Sequence, residues 1–349
     1  MKILQGNMHR SRVADSLLNQ LRSEWDADLL IISEQYKDKD CPLWFADALH
    51  TAAIWVANPS EVPIEATGLG HGYVWIKSLG TYFVSCYFTP NEGINEFRAK
   101  IDELEDTLHE WREGIVVAGD FNAKAPDWGM STLDGRGRYI SEMMARQNLI
   151  AANTGNTPTF RRAGQVGTIP DITLVSDTAA GQLKHWRVLE DYTGSDHQYI
   201  VFHFNQRRKV TKSDANKKLG WNLAKLNKDA FTLIIEQGQA TAMDVVGTPQ
   251  EVVRATMRLI QKACDAAMPR KGKFRGNKGP AYWWTEEIAQ LRRNCLRLRR
   301  KATRTRRRNA SEAEVEQEEY RAAKKALKHS INRSKRQKWE ELRKEIDLD

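Results

Sequence analysis

The sequence predicts an α+β fold in which two sheets pack together with helices outside them, followed by a mostly helical, basic extension. Three observations carry this reading. Short apolar runs rich in β-branched and aromatic residues recur through residues 1–206, the signature of many short strands. Only a few stretches between them show helical spacing, which fits layered sheets better than a bundle. Beyond Phe204 the strand pattern stops and the charge changes sign.

The elements follow in order. Lys2 to Gly6 is the first strand, and a helix then places Val13, Leu17, Leu18, Leu21 and Trp25 on one face. Strands are expected at Asp28 to Ser33, Ala52 to Ala57, Tyr73 to Ser78 and Thr81 to Phe88. Phe97, Ile101, Leu104, Leu108 and Trp111 share the face of a second helix. Strands at Ile115 to Ala118, Ile172 to Ser176 and Tyr199 to Phe204 complete the first region. The polar, basic stretch QRRKVTKSDANKK (206–218) reads as a linker. Helical segments run from Leu226 to about Gln237 and from Gln250 to Met268, the second ended by Pro269. The Gly- and Lys-rich loop 270–280 leads into Tyr282, Trp283 and Trp284, after which Thr285 caps a helix with Ile288, Leu291, Cys295 and Leu298 as its apolar positions. The last helix opens with the capping-box pair Ser311 and Glu314 and carries a sparse stripe of Leu327, Ile331, Trp339, Leu342 and Ile346. Such helices are expected to bury little unless they pair with each other or with further sequence.

The 349 residues carry a net charge of +9, from 54 Lys and Arg against 45 Asp and Glu, but the average hides a division. Residues 1–206 hold 18 basic and 27 acidic side chains, a net of −9, and residues 207–349 hold 36 and 18, a net of +18. Two units are therefore expected, 1–206 and 207–349, the second suited to a polyanion. No apolar run approaches the ~20 residues a membrane helix needs, and the amino terminus turns polar after four residues, leaving no room for a signal-peptide core. Cys41, Cys86, Cys264 and Cys295 lie far apart without close His partners, so neither a structural zinc nor a disulfide framework is expected. A reducing intracellular compartment fits best.

Polar residues at the ends of apolar strands are the candidates for chemistry, because a strand end holds a side chain rigidly at the rim of a sheet. Asn7 ends the first strand, Glu34 the second, and Tyr87 lies in SCYFTPN. IVVAGDFNAK puts Asp120 and Asn122 just after a buried run, TIPDITLVS puts Asp171 before one, and GSDHQYIVF puts Asp196 and His197 before the last. Converged, these would form a pocket of carboxylates, an imidazole, two amides and a phenol. Hard oxygen donors such as Glu34, Asp120 and Asp196 suit Mg²⁺ or Mn²⁺, and Asp171 beside His197 would orient the imidazole and stabilise its positive form. Taken singly, each residue has an ordinary structural explanation: GDFN as a turn, SDH as a strand entry, Tyr87 as core packing. The other histidines, His9 among them, show no metal-ligand spacing and read as structural. The joint occurrence of the set in this order is what chance does not supply.

The ordered motifs QGN, SEQ, SCYFTPN, GDFNAK, PDITLVS and SDHQ resemble the endonuclease/exonuclease/phosphatase superfamily, whose members share a DNase-I-like four-layer α/β/β/α sandwich. GDFNAK, TPTF, DITLVS and SDH resemble most closely the apurinic-type endonuclease domain of non-LTR retrotransposons over residues 1 to about 205, and WWTEEIAQLRRNCLRLRR with SKRQKWEEL resembles the region that precedes the reverse transcriptase in such elements. The resemblance implies that Glu34 and Asp196 are metal residues, Asn7 a supporting amide and Asp120 the residue that orients or activates the attacking water. It further implies that Asn122 and Tyr87 contact the phosphate and that Asp171 and His197 act as a pair. Gln35 and the Gly167–Pro170 approach depart from the usual pattern and bear on local loop shape.

The expected function is that of an Mg²⁺-dependent endonuclease, with Mn²⁺ as a substitute. It would nick target DNA and leave a 3′-hydroxyl that primes retrotransposition. The alternatives are a repair-type nuclease or phosphatase of the same fold, or an inactive nucleic-acid-binding fragment. DNA is the expected partner, with element RNA on the basic tail, where Trp283 and Trp284 could stack on bases or dock on a polymerase. The site of action would be intracellular and nuclear, with no membrane. The chain has no Asp-Asp dipeptide and hence no Y-x-D-D polymerase signature, so no reverse transcription is expected of it, and the chain reads as part of a longer polyprotein or a degenerate copy.

Overall fold

The computed structural model describes residues 1–162, 166–205, 221–243, 248–269, 279–308 and 313–346. Two six-stranded sheets face each other. The first has the order β11 (Leu183–Val188), β12 (Ile200–Phe204), β1 (Lys2–Asn7), β2 (Leu29–Ser33), β4 (Ala52–Val56) and β3 (Trp44–Ala46). The second has the order β5 (Ala66–Gly70), β6 (Tyr73–Ser78), β7 (Thr81–Tyr87), β8 (Gly114–Asp120), β10 (Asp171–Ser176) and β9 (Leu149–Ala151).

Alternation along the central strands sorts their side chains between two apolar layers. Ile3, Leu29, Ile31 and Phe202 of the first sheet meet Ile76, Phe83, Val116 and Val175 of the second between the sheets. Their neighbours Leu4, Leu30, Ile32 and Val201 face outward onto α1 (Arg12–Trp25), through Leu17, Leu18 and Leu21. On the far side Val84, Val117, Ile172 and Leu174 pack on α2 (Ile94–His109) and α3 (Gly135–Arg146), with a single turn α4 (Asp177–Ala180) after β10. Strands buried on both faces read as continuous apolar runs, which is why they were legible in sequence. The α/β/β/α layering is present, and every predicted strand is found. β3, β5, β9 and β11 were not foreseen: two are three residues long, ATGLG is glycine-rich, and LKHWRV is mostly exposed or half-buried.

The carboxyl-terminal part departs from expectation. Contacts divide the chain into Met1–Arg207 with Gly276–Asp349 as one unit and Arg208–Arg275 as another, rather than at residue 206. The second unit is a helical hairpin of α5 (Lys228–Met243) and α6 (Pro249–Ala267), closed by the Asn227 amide donating to Ala267 O at 2.9 Å. The helices α7 (Glu286–Arg308) and α8 (Ala313–Ile346) pair and join the outer layer of the sandwich beside α1. Ile288, Cys295, Leu298, Leu327 and Ile331 supply the apolar face, so these helices bury more than their sparse stripes promised. Trp283 is 2% exposed within that layer, and Trp284 packs beside it, which removes Trp283 from the expected role of stacking on bases. The expected linker 206–218 and the cap residue Ser311 lie outside the described residues.

Candidate active site

β1 runs parallel to β2, and β7 runs parallel to β8, so Asn7, Glu34, Tyr87 and Asp120 all stand at or just beyond carboxyl-terminal strand ends. β10 is antiparallel to β8, and β12 to β1, so Asp171 and His197 reach the same rim from amino-terminal ends. Register aligns Tyr87 with Asp120 and Asp120 with Asp171 in one row across the second sheet. Buried polar groups lock the two sheets at this edge. Ser33 Oγ donates to Cys86 O at 2.8 Å and accepts from the Asp120 amide at 3.2 Å. Gln5 Nε2 donates to Ile172 O at 3.0 Å, while its Oε1 accepts from Thr173 Oγ1 at 2.6 Å.

The site residues converge on this frame. Asn7 Nδ2 donates to Asp120 Oδ2 at 2.7 Å and to Glu34 Oε2 at 3.1 Å, and Asn7 Oδ1 accepts from the His9 amide at 2.6 Å. The Asn122 amide donates to Asp120 Oδ1 at 3.0 Å, and its side chain donates to Phe88 O at 3.1 Å. His197 Nδ1 lies 2.8 Å from Asp171 Oδ2, and its Nε2 lies 3.9 Å from Asp120 Oδ2. His9, Glu34 and Asn122 adopt left-handed backbone conformations, which place side chains at the rim at a cost in strain.

Electrostatics follow from burial. Asp120 is 1% exposed, and burial, then the neighbouring Asp171 charge, push its carboxyl up to about 7. For His197, burial works against the imidazolium, but the charge and hydrogen bond of Asp171, with Asp120 and Glu34 behind, outweigh it and hold the ring at about 9. Burial also works to raise Glu34, yet the neighbouring His9, Tyr87 and Asn7 side chains prevail and hold it below the usual range. Tyr87 is pushed above its ordinary value by burial and by Glu34. Asp171 Oδ1 is buried without a hydrogen-bond partner among the described residues.

These residues open onto a cleft of about 680 Å³ lined by Glu34, Tyr87, Asp120, Asn122 and His197. The cleft gains positive charge from Lys124, Arg136 and Arg162. Arg136 is fixed by donating to Thr89 O and Glu92 O, each at 2.8 Å. Of the sequence candidates, Asn7, Glu34, Tyr87, Asp120, Asn122, Asp171 and His197 come together. Asp196 does not line the cleft; it is half-buried, with its carbonyl accepting from the Arg161 amide at 2.9 Å. The compact group able to hold a metal among the described residues is Asp120, Asp171 and His197, with ligand atoms within 4.8 Å of one another. Cleft residues that escaped the sequence reading include Arg136 and Arg162, and also His9 and Phe160. His9, set aside as structural, lines the cleft with Nδ1 3.6 Å from Glu34 Oε2; its place two residues after Asn7 in QGNMHR was the available signal. Phe160, in TPTF, packs its ring 4.9 Å from that of His197.

Known proteins resemble this chain in sequence and fold. Residues 81–201 match the endonuclease-reverse transcriptase family. The chain is 25% identical over 274 residues to a putative 115 kDa protein of the type-1 retrotransposable element R1DM of Drosophila melanogaster. That match covers 73% of this chain and 26% of the relative, so the chain spans about a quarter of the relative's length. The endonuclease domain of TRAS1, a telomere-specific non-LTR retrotransposon, superposes with a TM-score of 0.52 at 25% identity, covering 59% of this chain and 99% of that domain. An AP endonuclease from Archaeoglobus fulgidus aligns at 15% identity over 59% of this chain and 99% of its own, with a TM-score of 0.49. The chain has a DNase-I-like fold over its first part and resembles the endonuclease domains of non-LTR retrotransposons.

Proposed function

We propose that the protein is a divalent-metal-dependent DNA endonuclease that hydrolyses a phosphodiester and leaves a 3′-hydroxyl able to prime reverse transcription. The observation that carries this is the meeting of Asp120, Asn7, Glu34, Asn122 and the Asp171–His197 pair at one rim of a cleft that also presents Lys124, Arg136 and Arg162. The likeness to the TRAS1 endonuclease domain supports hydrolysis of phosphate esters. The basic cleft residues favour a polyanionic substrate, and the R1 and TRAS1 relatives belong to retrotransposable elements.

Each side chain has a task in this reading. Asp120, held up to about 7, accepts the proton of the attacking water near neutral pH. Asn7 fixes its Oδ2 and the Asn122 amide its Oδ1, so the carboxylate is aimed before substrate arrives. His197, kept positive at about 9 by Asp171, stabilises negative charge that builds on the phosphorane oxygens. Asn122 and Tyr87, both lining the cleft, donate to the phosphate without adding charge. The donor set fits a hard cation: carboxylates converge on Asn7, the buried Asp171 Oδ1 lacks a partner among the described residues, and burial with the Asp171 charge raises Asp120. Glu34, with Asp120 across Asn7, would hold Mg²⁺ or Mn²⁺, and the ion would neutralise the phosphodiester and stabilise the leaving alkoxide.

The test is nicking of supercoiled plasmid with Mg²⁺ or with EDTA. Mg²⁺-dependent conversion to open circle is expected, abolished by Asp120→Ala and by His197→Ala. Metal-independent nicking, or undiminished nicking by both variants, would overturn the assignment. Ligation-competent 3′-hydroxyl ends on the nicked product are the expected second readout.

A further inference from the structure

The loop from Leu189 to Gln198 joins β11 to β12 and carries His197. Part of its shape is self-made: Thr193 Oγ1 donates to His197 O at 2.7 Å, and the His197 amide donates to Ser195 Oγ at 3.1 Å. The rest is held from outside by one face of α7. Arg292 Nε donates to Tyr192 O at 3.0 Å while its Nη1 forks onto Glu24 of α1 at 2.9 and 2.8 Å. Two turns later on the same face, Arg299 Nη2 donates to Gln198 Oε1 at 2.9 Å and to Glu190 O at 3.4 Å. Arg300 pairs with the Glu190 carboxylate at 2.7 Å.

The Arg299 contact is the informative one. Gln198 is 1% exposed, follows His197 directly, and its backbone N–H donates to Thr159 O at 2.6 Å. Arg299 is half-buried beneath the loop, has no ion-pair partner among the described residues, and is flanked by the like charges of Arg161 and Arg300. A cation in such a place costs free energy that an apolar side chain would not. What the guanidinium supplies instead is one nitrogen, Nη2, that donates both to a loop carbonyl and to the Gln198 side-chain oxygen and so holds them at set positions. We propose that Arg299 is a positioning residue for the His197–Asp171 pair, and that α7 is through it a working part of the catalytic unit. This inference rests on the nuclease reading above. Without these two bonds, the loop samples conformations in which the 2.8 Å contact of His197 with Asp171 opens.

The experiment compares full-length Arg299→Ala, Arg299→Lys, Gln198→Met and Arg297→Ala by steady-state nicking of a duplex and by amide exchange read by mass spectrometry. Arg297 is an exposed cation on the same helix that bonds only its neighbour Asn294 among the described residues, so its loss controls for charge. Arg299→Ala and Gln198→Met are expected to lower kcat on the order of 10- to 100-fold with KM unchanged, while Arg299→Lys recovers part of the loss and Arg297→Ala leaves kcat intact. Exchange is expected to quicken in peptides from 189–199 and to stay constant in β8. Wild-type kcat in both Arg299→Ala and Gln198→Met, or a loss confined to KM as for a phosphate contact, would overturn the proposal. Should Arg299→Ala fail to fold, Gln198→Met carries the comparison, since it removes the acceptor and leaves α7 untouched. If the wild-type chain nicks nothing, the nuclease reading falls, and exchange alone decides: faster exchange at 189–199 sustains the positioning role, unchanged exchange ends it.

Discussion

Asn7 Nδ2 lies 2.7 Å from Asp120 Oδ2, although the two residues sit 113 positions apart and belong to different sheets. The same nitrogen serves Glu34, so one neutral amide stands between two carboxylates and keeps them from facing each other directly. Asn7→Ala removes a donor from a buried anion, which costs about 1–3 kcal/mol and raises Asp120 further. Urea denaturation should show that loss, and nicking at neutral pH should fall on the order of 100-fold, the effect of a small misplacement of a reacting group. Asn7→Asp should be worse on both counts, because a third carboxylate enters the cluster. Wild-type nicking by Asn7→Ala would show that Asp120 needs no such partner.

The protonation states predict how stability depends on pH. Asp120 and His197 both bind protons more tightly when folded. The stabilisation from Asp120 is complete below its ordinary 3.8 and is lost as pH rises through about 7. That from His197 is complete below 6.5 and is lost as pH rises through about 9. Metal-free protein should therefore melt at progressively lower temperature from about pH 5 to about pH 9. Mg²⁺ should raise the melting temperature, and by more at the alkaline end, since a cation favours the ionised carboxylate. Asp120→Asn should flatten the acidic half of the slope. A melting temperature in EDTA that does not change over this range would contradict these protonation states.

Much of this was legible in sequence because the sandwich buries its central strands on both faces, leaving runs such as LLIIS and GIVVAG with no competing interpretation. The site was legible because its residues end those runs, where parallel and antiparallel neighbours necessarily share a rim. Ser33 and Gln5, which join the sheets beneath the site, were not, since a lone polar residue within an apolar strand announces no partner. The outer layer was obscured for a different reason. Periodicity shows that Ile288, Cys295 and Leu298 share a face, but what covers that face is decided by tertiary contact with α1 and Tyr192, and a high density of arginine masks it. Arg292 reads as part of a charge run, yet it is 8% exposed and bridges two elements.

Gly119 marks a close backbone approach near the site. A Cβ there would stand 2.0 Å from the Cys86 carbonyl oxygen, one pair before the end of the parallel pairing of β7 with β8. Neither strand can yield without displacing Tyr87 or Asp120, which follow Cys86 and Gly119 in register. Gly119→Ala should cost at or beyond the upper end of about 1–3 kcal/mol for overpacking. Gly80→Ala is the comparison: it sits in the β6–β7 turn at φ +68° with open space around its Cβ. It should cost about 1 kcal/mol, from backbone strain alone. Equal urea midpoints for the two variants would show that the strands shift freely.

The place of the carboxyl-terminal helices makes a prediction that distinguishes a packed layer from a tether. Trp283 is 2% exposed among Leu17, Leu21, Ile288 and Leu327, its carbonyl accepts from Ser334 Oγ at 2.7 Å, and the Lys335 ammonium lies 5.1 Å from the centre of its ring. Trp339, on the same helix as Ser334 and Lys335, is 62% exposed. If α7 and α8 belong to the sandwich, Trp283→Ala should destabilise the whole catalytic unit by about 3–5 kcal/mol, seen as a lower urea midpoint for loss of near-ultraviolet dichroism. Trp339→Ala should stay within about 0.5 kcal/mol of wild type, as exposed substitutions do. A tether would give the opposite pattern: two small effects, and no cooperation between the extension and the sheets. Single-step unfolding of this unit in wild type, shifted as a whole by Trp283→Ala, is the expected result, because the residues that cover the first sheet are drawn from both ends of the chain.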